Sequence, residues 1–179
     1  MEPLFTIGHS TRPIEKFTDM LRGHAVTLLA DVRTIPRSRY NPQFNKETLA
    51  AALKAAGIRY LHCKNLGGLR HAVKDSVNTG WRNKSFRGYA DYMGTQAFSE
   101  ALEEIIDYAQ TGERVAMMCA EGSPFRCHRS LIADVVLVHG LEIYEIGSAA
   151  RATAHKLTPF AIVENGRITY PDLLPGTSC

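Results

Sequence analysis

What most constrains this chain is a recurring unit: a short, largely apolar run that breaks into a polar loop and is followed by apolar residues at helical spacing. Leu4 to Ile7 stops at Gly8-His9-Ser10-Thr11, and Ile14, Phe17, Met20 and Leu21 follow with helical period, Thr11 standing as a candidate N-cap and Pro13 in the first turn. Val26 to Ala30 stops at Asp31-Val32-Arg33. A loop rich in proline and arginine leads to Asn45, placed to cap a helix that carries Leu49, Ala52, Leu53 and Ala56 and closes at Gly57. Ile58 to His62 repeats the strand, and Leu66-Gly67-Gly68-Leu69 opens a polar stretch without clear period up to about Gly88. Helical spacing returns from Tyr89 through Phe98, Leu102, Ile105 and Ile106 to Gly112. Arg114 to Met118 is a further strand, Leu131 to Val138 a further helix, and Leu141 to Ile146 a strand again. Phe160 to Val163 and Arg167 to Tyr170 flank Asn165-Gly166, a two-residue hairpin signal.

Strands apolar along their whole length need cover on both faces. The expected fold is therefore a single domain over residues 1–179, a three-layer doubly wound α/β structure with a mostly parallel sheet, helices on both faces and a C-terminal β-hairpin. Right-handed crossovers place every strand C-terminus along one edge, where ligands bind by default. Gly8, His9, Ser10, Asp31, Arg33, Lys64, Gly67, Gly68, Cys119 and Glu121 are expected there, with Glu145 as a further candidate.

A chain of 179 residues with 45% hydrophobic content can bury a core of its own. Lys and Arg number 21 against 18 Asp and Glu, and the net charge of +3 is too small to announce a nucleic-acid binder. The N-terminus lacks the pattern of a signal peptide, and no apolar run reaches membrane-spanning length, so a cytoplasmic protein with no membrane partner is expected. Cys63, Cys119, Cys127 and Cys179 are too sparse for a secreted disulfide framework, and reduced thiols are the default in that compartment. Neither a dinucleotide glycine fingerprint nor a P-loop is present, so NAD and ATP are not implied and the cofactor is left unknown. Cys119, Cys127, His128 and His9 are metal-ligand types, but closely spaced cysteine pairs are missing and no metal site is assigned.

The stretch from Val115 to Ser130 carries the most chemistry. An apolar strand ends at Cys119 and Glu121, a short loop follows, and Arg126-Cys127-His128-Arg129 stands where a helix begins. Free amides at a helix start carry partial positive charge, which attracts anions and favours a thiolate. Cys119 and Cys127 are candidate nucleophiles, and Glu121, His9 and His128 are candidate acids, bases or orienting groups. Gly8, Ser10, Asp31, Arg33, Arg37, Gly67, Gly68, Arg126 and Arg129 are the candidate substrate-binding residues. Asp31 is expected to hold loop amides while Arg33, leaving the strand on the other face, reaches an anion. Arg37, Arg39 and Tyr40 could extend this surface to a polyanion, with Tyr40 or Phe44 offering a stacking face.

Thr6-Ile7-Gly8-His9-Ser10-Thr11, Asp31-Val32-Arg33 with Pro36 and Ser38, Leu66-Gly67-Gly68, and Met118-Cys119-Ala120-Glu121 followed by Cys127-His128-Arg129 together resemble the domain of unknown function 488 family, over nearly all of the chain up to about Ile146. That family has no settled reaction, so the resemblance implies where a site lies and not its substrate. A weaker, local resemblance is to rhodanese and cysteine-phosphatase sites, in which a loop of backbone amides cradles an anion between a nucleophilic cysteine and a helix. The loop from Cys119 to Arg126 is longer than the phosphatase loop and carries Glu121, which opposes an anion.

The leading expectation is an enzyme acting on a small anionic or nucleotide-like substrate through a Cys/Glu/His/Arg site. One alternative is a nucleotide or nucleic-acid binding module that breaks no bond. Another is rhodanese-like sulfur transfer or phosphatase-like thiol chemistry.

Overall fold

In a computed structural model, which describes residues 1–172, the chain forms a mixed six-stranded sheet in the order β3-β2-β4-β1-β5-β6. Its strands are β1 (Leu4–Gly8), β2 (Leu28–Asp31), β3 (Arg59–His62), β4 (Val115–Cys119), β5 (Ile143–Ser148) and β6 (Arg151–Ala154). All pairings are parallel except that of β5 with the edge strand β6. The expected C-terminal hairpin forms as a separate two-stranded sheet, β7 (Ile162–Glu164) and β8 (Arg167–Thr169), with Asn165 and Gly166 both at positive φ in its turn. The α/β architecture follows the hydrophobic pattern, but β6 does not: Arg151–Ala154 is mostly exposed and carries no apolar run. Cys179 lies outside the described residues.

Each face of the sheet holds its own core, assigned by the alternation of side chains along the strands. Leu28, Ala30, Val115, Met117 and Cys119 point to one face, under α4 (Gln96–Gln110) and α5 (Arg129–Val138). Phe5, Ile7, Leu29, Ala116 and Met118 point to the other, under α1 (Ile14–Gly23) and α2 (Lys46–Ala55). A fully buried Leu, Ile or Phe contributes about 1.5–3 kcal/mol by leaving water, so both layers are strongly driven to pack.

Helix boundaries depart from the expected ones in instructive ways. Pro13, not Thr11, caps α1, and no side chain bonds the free amides there. Asn45 does sit at the N-cap of α2, yet its side-chain oxygen accepts the Ser38 amide (2.8 Å), so it ties down the preceding loop instead. The helix expected from Tyr89 to Gly112 is two helices: α3 (Lys84–Tyr92), which begins inside the aperiodic polar stretch and is capped by Asn83, whose side chain accepts from the Ser85 and Phe86 amides, and α4 after a break at 93–95. No helix among the described residues is long and apolar enough to cross a membrane.

Candidate functional site

β4 lies between β1 and β2, so the loop that leaves Cys119 has strand ends on both sides. The His9 amide donates to the Cys119 carbonyl (2.9 Å) and the Ser10 amide to that of Ala120 (3.0 Å), running the two loops side by side. Gly8 is required for this approach, because a Cβ there would run into the Glu121 carbonyl.

Beside these loops is a cavity of about 330 Å³ bordered by Cys119, Glu121, Cys127 and His128. Arg37 and Arg126 stand at its rim, and Ile35, Leu69, Phe86 and Tyr89 supply apolar wall. Ser85, Phe86 and Tyr89 come from α3 and were not among the expected site residues. Asn83 followed by a possible helix was the signal that could have revealed them.

Cys119 and Cys127 are both buried, and their sulfurs are in contact. The structure joins the two as a disulfide across the loop, where reduced thiols were expected. Arg129, wholly buried at the start of α5, donates through Nη1 to Cys119 Sγ (2.7 Å) and to the Glu121 carbonyl, and through Nη2 to the Gly122 carbonyl (3.1 Å). Its counter-ion is Glu145 of β5, at 2.9 Å, which also accepts the Thr6 hydroxyl. The loop thus turns carbonyls, not amides, towards the buried cation, which is not the anion cradle of the rhodanese and phosphatase sites. Glu121 lies beside the cavity, with Oε1 accepting the Ser123 amide (3.4 Å), so it also caps its own turn.

His128 is held by its surroundings in one tautomer. Nε2 lies 3.0 Å from the Val32 carbonyl, which can only accept, so Nε2 carries the proton and Nδ1 offers its lone pair to Cys127 Sγ at 3.7 Å. Burial pushes the imidazole down to about 4, so it is neutral at pH 7. Tyr89 packs on the ring at 4.8 Å and Gly68 on its Nδ1 edge, where a Cβ would come within 3.0 Å.

Most of the remaining expected residues are engaged elsewhere. His9, two residues beyond Ile7, falls on the α1/α2 face, stacks on Phe44 (4.1 Å) and does not border the cavity. Its Nδ1 donates to the Ser10 carbonyl (2.7 Å), leaving Nε2 to accept from Arg33 (3.3 Å), and burial lowers it to about 4. Arg33 borders the cavity, but its guanidinium is spent on Asp31, through Nε (2.8 Å) and Nη2 (2.6 Å), and on the Phe44 carbonyl (2.8 Å). The expectation that Asp31 and Arg33 part to opposite faces is corrected here: residues two apart on extended backbone share a face, and the two form a buried pair. Tyr60 adds its hydroxyl to Asp31 (2.7 Å), a partner the sequence did not suggest. Phe44 is fully buried and offers no stacking face, whereas Tyr40 is 87% exposed. Gly67 packs on Thr34, outside the cavity lining. Arg37 pairs loosely with Glu47 (3.9 Å). Cys63 is buried and its thiol is raised to about 12, mainly by desolvation. Among the described residues no cluster of His, Cys, Asp and Glu is arranged to hold a metal ion.

With this geometry in place, comparison with known families is decisive at one level. A family model described as domain of unknown function DUF488 matches residues 13–136. The chain belongs to the DUF488 family. The matched span includes Asp31 to Arg33, Gly67-Gly68 and the whole Cys119 to Arg129 segment, while β1 and the Gly8-His9-Ser10 loop precede it. Comparison with curated proteins and with solved structures gave no match. Every residue that borders the cavity of this DUF488 chain falls within the matched span.

Proposed function

We propose that this chain is an enzyme whose Cys119 thiolate attacks a small anionic substrate seated in the cavity at the strand C-termini. The observation that carries the reading is the Arg129 guanidinium, buried and 2.7 Å from Cys119 Sγ. A charged donor aimed at sulfur stabilises the thiolate over the thiol, and the thiolate is the nucleophile. Arg37 and Arg126 at the rim supply attraction for the substrate's negative charge, and about 330 Å³ suits a small molecule. Glu121, close to the same rim, narrows the choice to substrates whose anionic group lies on the arginine side. The whole chain, 1–179, acts as one domain in this reading, in the reducing cytoplasm where its thiols stay available.

The test is alkylation of the folded, pre-reduced protein by iodoacetamide across pH, with each cysteine followed by peptide mapping. Cys119 is expected to react at neutral pH much faster than Cys63. Equal, slow modification of both would remove Cys119 as nucleophile.

A second reading has its own support. Tyr40 (87% exposed) and Phe125 (86%) lie near Arg37, Arg39 and Arg126 in sequence, and such pairing of aromatic faces with cations suits single-stranded nucleic acid. An affinity that falls steeply with salt, and is lost with the arginines but not with Cys119→Ser, would favour it.

A further inference from the structure

Two cysteine sulfurs meet in this cavity, and each has its own polar partner. Cys119 is served by Arg129 and Cys127 by the lone pair of His128 Nδ1. A single nucleophile would not need a second sulfur in contact with it at the opposite side of the same loop. We infer that Cys119 and Cys127 are a redox-active dithiol that reduces a small anionic disulfide, Cys119 attacking and Cys127 resolving. This rests on the reading of Cys119 as a nucleophile and adds to it the substrate class and the role of Cys127.

The electron and atom balance is simple. The Cys119 thiolate attacks one sulfur of the substrate disulfide RSSR, forming a Cys119–SR mixed disulfide and expelling RS⁻, which takes a proton from water. Cys127 then attacks the Cys119 sulfur. The second RS⁻ leaves with the proton that Cys127 gives up, and an intramolecular Cys119–Cys127 disulfide remains. The substrate gains two electrons and the cysteine pair loses two. An external dithiol restores the reduced pair by the reverse exchange.

The surroundings divide the roles. Arg129 favours the charged form at Cys119, as an attacking thiol requires. His128 cannot serve Cys127 in the same way, because its neutral Nδ1 only accepts, so it aligns the S–H until attack occurs. Cys127 immediately precedes the N-cap of α5, where the helix dipole favours the developing thiolate. The cavity lining selects the substrate: Arg37 and Arg126 recognise carboxylates on a low-molecular-weight disulfide, and the apolar wall from Leu69 and Phe86 covers its carbon skeleton. Cys63, buried outside this lining with its thiol pushed up to about 12, takes no part.

The experiment uses the full chain carrying Cys179→Ser, reduced with dithiothreitol and desalted, then mixed at low salt with glutathione disulfide or with cystamine, a cationic disulfide. Thiol release is followed with time, and cysteine pairing by non-reducing peptide mapping. Glutathione disulfide is expected to convert the protein to the Cys119–Cys127 bridge. Cys127→Ser is expected to stop at a glutathione adduct on Cys119, and Cys119→Ser to form no adduct at a comparable rate. Cystamine is expected to react at least tenfold more slowly, and the preference to shrink in the Arg37→Gln/Arg126→Gln double variant, whose exposed sites leave the fold intact. An adduct on Cys127 in Cys119→Ser as fast as in the wild type overturns the assignment of roles. Absence of the intramolecular bridge overturns the redox couple. If Cys119 is nevertheless alkylated rapidly by iodoacetamide, the nucleophile reading stands alone; if alkylation is slow as well, both fall.

Discussion

Two buried arginines flank β4, and they do opposite things with similar surroundings. Arg33 lies on the α1/α2 side with Asp31, Phe44, Tyr60 and His9, and every named contact of its guanidinium goes to a group of the protein's own framework. Arg129 lies on the α5 side, also paired with a carboxylate, Glu145, but it directs one N–H at the sulfur that borders the cavity. Asp31 is completely buried, whereas the Glu145 side chain is 19% exposed. The first cluster is a lock, closed on itself, whereas the second reaches a sulfur at the cavity wall. What separates them is strand parity: His9 and Asp31 alternate out of phase with Cys119, so the sheet itself divides the expected composite site between its two faces.

Among single substitutions the largest effect should come from breaking the lock. Asp31→Asn leaves the Arg33 cation buried without its partner, which typically costs about 3–5 kcal/mol. Urea unfolding at pH 7 measures it, and a loss below about 1 kcal/mol would mean that Arg33 finds another counter-charge.

Acid should strike both faces together. His9 and His128 each have a folded-state value of about 4 against an ordinary 6.5, both because burial disfavours the charged ring. Between those values the unfolded chain takes up protons that the folded one refuses, so stability is complete above pH 6.5 and falls as pH drops towards 4. Each histidine contributes a loss on the order of 3 kcal/mol. Denaturant midpoints at pH 7, 6 and 5 test the slope, and His128→Asn should remove about half of the histidine share. An unchanged midpoint over that range would rule out neutral burial of the pair.

The contrast in reactivity is next. Arg129→Met should slow alkylation of Cys119 at pH 7 by roughly tenfold or more, since one pK unit of lost thiolate stabilisation corresponds to that factor. Arg33→Lys, judged on the same assay at a temperature where the variant stays folded, should leave the rate within about twofold. Equal slowing by both would erase the distinction between the clusters.

The smallest effect is expected at Tyr60. Removing its hydroxyl in Tyr60→Phe takes one donor from Asp31 while Arg33 still holds the carboxylate, for a loss of about 1–1.5 kcal/mol in thermal or urea unfolding. Cys119 reactivity should not move, because Tyr60 and Cys119 serve opposite faces.

Much of this was legible in the chain. The period of apolar residues gave the strands and most helices, because burial on two faces of a parallel sheet leaves a local trace in every strand. The strand-end rule brought Cys119, Glu121, Gly8 and Ser10 to one edge, because connectivity alone decides where strand ends lie. β6 and the first half of α3 were missed for a common reason: one is mostly exposed and the other lies in a polar stretch, so neither announced itself through an apolar run.

By itself, then, the sequence determined the α/β architecture and the edge at which the candidate residues gather, since both depend on patterns repeated within short windows. Only the tertiary structure decided which polar groups share a face and which partner each one keeps. Glu145 reaches Arg129 from β5, Tyr60 reaches Asp31 from β3, and His128 meets the Val32 carbonyl from the N-cap of α5. Such bonds join residues far apart in the chain, and their strength depends on distance and desolvation, which no local pattern encodes.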